Sequence, residues 1–193
     1  MRDGLPVSVK IRRESGEPKY HLVRGSKVFP YLLPGDVRGT VALVESELDG
    51  LLLWEAVRDV VFPVAAGGCA NKPDTETIEL ICNAGVFLDC MDNDAAGDAA
   101  GAWWRDWFPH VKRWRPTRKD PGDMHTAGES VRKWMFDGIR AALHDQGIWA
   151  GRMDFYEAVD ALSVPFTPTM LRDLSDDEIK RAALMAEPGA ADG

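Results

Sequence analysis

Between residues 40 and 145, short apolar runs alternate with longer helix-compatible segments, and several of the apolar runs stop at or close to acidic residues. Such alternation points to βαβ units and a mostly parallel sheet, and this constrains the fold more than any other feature. The central instance begins at Val86 and runs through Phe87 and Leu88 to Asp92, Asn93 and Asp94. Gly85 bounds it on one side, and Ala95–Phe108 reads as the helix that follows. Asp92 and Asp94 lie two apart in an extended segment, so both project the same way, at the sheet edge where open α/β folds place ligands. They can share a hard cation such as Mg²⁺ or Mn²⁺. The plainer reading is an Asx turn in which Asp94 caps the helix.

The same logic recurs on either side. Thr40–Val44 reads as a buried strand with Glu45 at its end. Asp49 lies in the first turn of a helix continuing through Gly50–Val57, where an acid also favours the helix dipole. Val60–Val64 is a further strand, followed by the loop Ala65–Cys69 and a helix over Asp74–Leu80. Gly67 and Gly68 in that loop permit close backbone approach to a phosphate, or simply turn the chain. Val111–Arg115 reads as another strand, 116–123 as a loop, and Ser130–His144 as a helix. Acids from separate elements thus collect at one edge, which is how sites are built.

Residues 1–38 form a basic, strand-rich segment ahead of the 39–145 core. Val7–Arg13 and Tyr20–Arg24 read as a hairpin bearing Lys10, Arg12, Arg13 and Lys19. Those cations either follow a phosphate backbone or protect an exposed edge strand. Residues 146–193 read as a helical tail with helices near Phe155–Leu162 and after Ser175, fraying at the end. Trp103, Trp104 and Trp107 invite base stacking, but beside Phe108 their helical spacing favours core, above all for Trp104.

At 193 residues, 45% hydrophobic and 28% charged, the chain has the composition of a globular protein able to bury a real core. A net charge of −8 argues against coating duplex DNA through a global positive field. Cys69, Cys82 and Cys90 lack disulfide or zinc spacing, so no zinc is expected. No apolar run has membrane-spanning length and the N-terminus lacks a signal core, so the expectation is a cytoplasmic protein without membrane contact.

As a set, Glu45 and Asp49 after one strand, Asp92-x-Asp94-x-Ala-Gly97 after another, and Lys119-Asp-Pro-x-Asp123 resemble the Toprim domain shared by topoisomerases and bacterial-type primases. The Lys-Asp-Pro element is most similar to primases of phages and mobile elements. The resemblance implies a Rossmannoid, mostly parallel sheet flanked by helices. It implies that Glu45, Asp92 and Asp94 are catalytic and bind Mg²⁺ or Mn²⁺ with Asp49 and Asp120. It further implies that Gly67, Gly68 and Lys119 meet nucleotide phosphates, and that Lys10, Arg12, Arg13 and Lys19 guide single-stranded DNA. The implied activity is primer synthesis from nucleoside triphosphates, with a helicase or zinc-finger module on another chain as partner. A Toprim nuclease and a non-catalytic nucleic-acid-binding module are the rivals. Ser46 departs from the family glycine, and Gly122 stands where many primases carry a further acid.

Overall fold

The run Thr40–Val44 is buried along its whole length, as an apolar strand must be when helices cover both faces of its sheet. The structure, a computed structural model, describes residues 8–16, 20–26, 30–33, 39–71, 73, 75–82, 84–108 and 111–146. A hairpin comes first, formed by β1 (Lys10–Arg12) and β2 (Tyr20–Leu22). The core follows in the order β3 (Tyr31–Leu32), β4 (Thr40–Val44), α1 (Glu47–Val57), β5 (Phe62–Ala65), α2 (Thr75–Cys82) and β6 (Val86–Asp89). It continues with α3 (Ala95–Trp107), β7 (Val111–Arg113), α4 (Pro121–Thr126) and α5 (Val131–Asp145).

The five core strands lie in the order β3-β5-β4-β6-β7, all parallel except β3, which pairs antiparallel with β5. The chain leaves β4 toward β5 on one side, crosses back to β6 on the other, and proceeds outward to β7. The carboxyl ends of β4 and β6 therefore flank a topological switch point, where open α/β sheets form their crevice. In register, Leu43 of β4 stands beside Asp89 of β6.

Side-chain alternation sorts the core into two layers. Ala42 and Val44 face Leu53 and Val57 of α1, Met124 of α4, and Trp134, Met135 and Ile139 of α5. Val41 and Leu43 face Ile78 and Ile81 of α2 and Ala100 and Trp104 of α3. Trp104 and Phe108 are fully buried, their rings stacked 5.8 Å apart, in keeping with the core role read from their spacing.

Several boundaries differ from expectation. The hairpin strands are three residues each, their side chains mostly exposed and covered by no layer among the described residues. The strand of the central unit ends at Asp89, three residues before Asp92. β3 was not foreseen, since its two residues follow Pro30 in turn-rich sequence and gain strand geometry only by pairing with β5. The segment expected as a loop over 116–123 contains the start of α4, with Pro121 at the first helical position. Lys19, the start of the second helix at Asp74 and the tail beyond 146 lie outside the described residues. Among the described residues no helix is long and apolar enough to cross a membrane.

Candidate functional site

Glu45 follows β4 directly, and Ser46 then caps α1. The Ser46 hydroxyl accepts from the Asp49 amide at 3.1 Å and donates to Asp49 Oδ2 at 2.5 Å. Ser46 thus fixes the acid three residues on. Asp49 is 7% exposed, and its Oδ1 accepts from the Gly122 amide at 3.0 Å. One carboxylate therefore ties the first strand-end turn to α4. A Cβ on Gly122 would lie 3.2 Å from both Asp49 Oδ1 and Asp120 Oδ1, so both carboxylates close on this position.

At the end of β6, Asp92 is also 7% exposed, whereas Asp94 is exposed and caps α3, its Oδ1 accepting from Gly97 at 2.9 Å. The helix-capping reading of Asp94 is thus realised. Its second oxygen accepts no hydrogen bond among the described residues. Gly97 is required by contact: a Cβ there would lie 2.1 Å from the Asp92 carbonyl oxygen.

The backbone carrying Asp92 is held by a residue that sequence reasoning missed. Arg113, on β7, donates to the carbonyls of Met91 at 2.8 Å, Asp92 at 2.9 Å and Asp89 at 3.1 Å. The same guanidinium reaches Asp98 and the fully buried Asp89, which Arg105 also pairs. No local pattern marks this network, because its members are 15 to 24 residues apart. The only available signal was a buried-strand aspartate, Asp89, that demanded a cation.

The Lys-Asp-Pro segment docks onto this strand end. The Asn93 amide donates to the Lys119 carbonyl at 2.7 Å, and Asn93 Nδ2 to the Pro116 carbonyl at 3.2 Å. Lys119 Nζ donates to Asp92 Oδ2 at 2.9 Å and stands 3.8 Å from Asp120 Oδ2. Asp120 caps α4, accepting from Asp123 at 2.7 Å.

These acids perturb one another. Burial pushes the Glu45 carboxyl above its ordinary range; a hydrogen bond from the Cys69 thiol lowers it, and repulsion from Asp92 and Asp94 raises it further. Burial likewise raises Asp49, with Asp120 and Asp92 adding to the effect. Burial raises Asp92, against the pull of Lys119. The Cys69 thiol, desolvated and facing these carboxylates, is pushed up to about 12 and serves as a neutral donor. Lys119 is held more firmly protonated, first by its bond to Asp92.

As placed, no three His, Cys, Asp or Glu side chains among the described residues form a ready metal-ligand group. The chemistry of the set nevertheless fits a hard divalent cation. Its donors are carboxylate oxygens from three elements, mutually repulsive, with the Lys119 ammonium already drawn to them. Glu45, Asp92 and Asp94 are the residues that would hold it, supported by Asp49 and Asp120.

Gly67 and Gly68 both adopt positive φ, 75° and 139°. The Gly67 amide donates to the Glu45 carbonyl at 2.9 Å, so this turn packs against the first acid. Lys10 reaches the same turn, donating to Gly67 O at 3.0 Å and pairing with Glu47 at 2.5 Å. It tethers the hairpin to the strand-end edge. Arg12 lies on the same hairpin face as Lys10 and opposite Tyr20, and Arg12 and Tyr20 are exposed. Arg13 is exposed as well. No protein-family model matches the sequence, and no curated protein matches it.

Proposed function

We propose that this chain is a Toprim-type domain of the primase family, performing divalent-metal-dependent nucleotidyl transfer on a single-stranded DNA template. The observation that carries this reading is the meeting of Glu45, Asp49, Asp92, Asp94 and Asp120, with Lys119, at the switch point of the sheet. Helix capping accounts for Asp94 and Asp120, but no capping role or buried cation partner explains why Glu45 and Asp92 are desolvated beside further carboxylates, and that repulsion is relieved by a cation.

A bound Mg²⁺ or Mn²⁺ would neutralise phosphoryl oxygens and make a hydroxyl more acidic. The chain's own groups supply the rest. Glu45, at the end of β4 beside Asp92 and Asp94, is placed to hold the cation or, ionised, to take the proton of a 3′-hydroxyl. That oxygen attacks the α-phosphorus of a nucleoside triphosphate, and pyrophosphate leaves. Lys119, with 57% of its side chain exposed, has the reach and charge to meet an incoming phosphate. Arg12 and Arg13 offer cations to the template, and Tyr20 offers a ring beside them. Lys10, engaged by Glu47 and Gly67, holds that hairpin against the edge.

The test is incubation with single-stranded DNA, labelled nucleoside triphosphates and Mg²⁺ or Mn²⁺, comparing wild type with Asp92→Ala. New labelled oligonucleotides lost in the variant are the expected result. Metal-dependent shortening of the input strand would assign hydrolysis instead. No difference between the two proteins would overturn a catalytic role for Asp92.

A further inference from the structure

On the sheet face covered by α2 and α3, a cleft of about 450 Å³ opens beside Glu45. Cys69 and Asn71 border it from the loop after β5, and Ala96, Ala99, Trp103 and Trp104 border it from α3. Ligand clefts typically span a few hundred Å³ and are mostly apolar with a small number of placed polar groups. Here the apolar part is built around the partly buried Trp103, which meets the fully buried Trp104 edge-on with centroids 5.3 Å apart. Ala96 and Ala99 are exposed on α3, and their small side chains keep the space open. The polar part is Asn71. Its Nδ2 donates to the Ala66 carbonyl at 2.8 Å, which fixes the amide orientation, and its Oδ1 accepts no hydrogen bond among the described residues.

The position of the cleft says what belongs there. Cys69 borders it and at the same time donates its thiol hydrogen to Glu45, so the cleft and the acid edge share a wall. A ligand occupying both would carry a flat apolar ring with an N–H donor at one end and an anionic, cation-requiring group at the other. We infer that the cleft receives the base of a nucleotide whose phosphates lie at the strand-end acids, with Trp103 as its apolar wall and Asn71 Oδ1 accepting from the base. This rests on the nucleotidyl-transfer reading above. The base belongs either to a free triphosphate or to a residue of the bound strand.

The test is calorimetric titration in Mg²⁺ with ATP, inorganic tripolyphosphate and pentathymidylate, using wild type, Ala99→Leu and Ala96→Leu. Leucine is a good helix former, and both positions are exposed, so helix α3 is retained; thermal melts verify each variant, and the second substitutes if the first fails to fold. ATP is expected to bind wild type at least about tenfold more tightly than tripolyphosphate, the scale of base stacking. The leucine variants are expected to erase that advantage while leaving tripolyphosphate unchanged. Loss confined to ATP assigns the cleft to the free nucleotide, and loss confined to pentathymidylate assigns it to the strand. Unchanged binding of both ATP and pentathymidylate in the variants overturns the inference, whatever the wild-type preference for ATP over tripolyphosphate. Base-dependent ATP binding without tripolyphosphate binding would keep the cleft and count against the acid edge. No binding of any probe would overturn both.

Discussion

Gly97 shows how little room the strand-end acids leave. The first turn of α3 packs so closely on the Asp92 backbone that a single methyl would overlap its carbonyl oxygen. Gly97→Ala is therefore expected to destabilise the fold by about 2–4 kcal/mol, measured by urea denaturation. The acids themselves make an opposite contribution. Glu45, Asp49 and Asp92 bind protons more tightly in the native state than in the unfolded chain, where carboxyls titrate near 4.5 and 3.8. The native state thus carries more protons above that range, and stability from these groups falls as pH rises through their raised values. Metal-free protein should accordingly gain stability as pH is lowered from neutral toward the ordinary carboxylate range, and Glu45→Gln should be more stable than wild type at neutral pH. Asp98, Glu129 and Asp145 are held below their usual range, so their contribution is lost only at lower pH. Saturating Mg²⁺ should reverse the trend, because a cation favours the ionised acids. A metal-free stability that rises steadily with pH would contradict this account. The identities of these acids could be read from the chain because each follows an apolar run. Gly97 is plainly small, but the reason it must be small is a contact invisible without the fold.

Among the elements, β6 and β7 work as a pair. β7 contributes Arg113, which holds the Asp89, Met91 and Asp92 carbonyls at the β6 end and half-neutralises a buried aspartate that Arg105 completes. Removing one partner from such a network leaves a desolvated charge poorly paired. Arg113→Met is expected to cost about 3 kcal/mol in chemical denaturation, and adding Asp89→Asn should return part of it, because the two positions are coupled. Additive losses would show that the two residues act separately. The long strands and helices were legible from apolar periodicity, and Trp104 and Phe108 were legible as core. β3 and α4 were not: one exists only through pairing with β5, and the other is six residues starting at a proline in charged sequence. The hairpin strands were legible as strands, but the anchoring of Lys10 on Glu47 and Gly67 depends on a contact 37 and 57 residues away.

For the molecule as a whole, strand order decides where chemistry can occur. Because the chain reverses direction across the sheet at β4, Glu45 and Asp92 emerge on neighbouring strand ends, while α1 and α3 depart on opposite faces. The βαβ pattern implied that both acids lie on one strand-end edge, whereas the pairing of β4 with β6 and the docking of the Lys-Asp-Pro segment over them, through Asn93 and Asp49, required the fold. A chain of net charge −8 with acids concentrated at one edge repels phosphates until that edge is neutralised. In the structure Lys119 does part of this, lying on Asp92. The central claim, that these strand ends form one cation site, is tested most directly by titrating Mn²⁺ and following loss of the free-ion electron paramagnetic resonance signal. Wild type is predicted to bind Mn²⁺, Asp92→Asn and Glu45→Gln each to weaken it about tenfold or more, and Lys119→Met to strengthen it by removing the competing ammonium. Mn²⁺ binding that is absent from folded wild type, or unchanged in folded Asp92→Asn and Glu45→Gln, would contradict the claim.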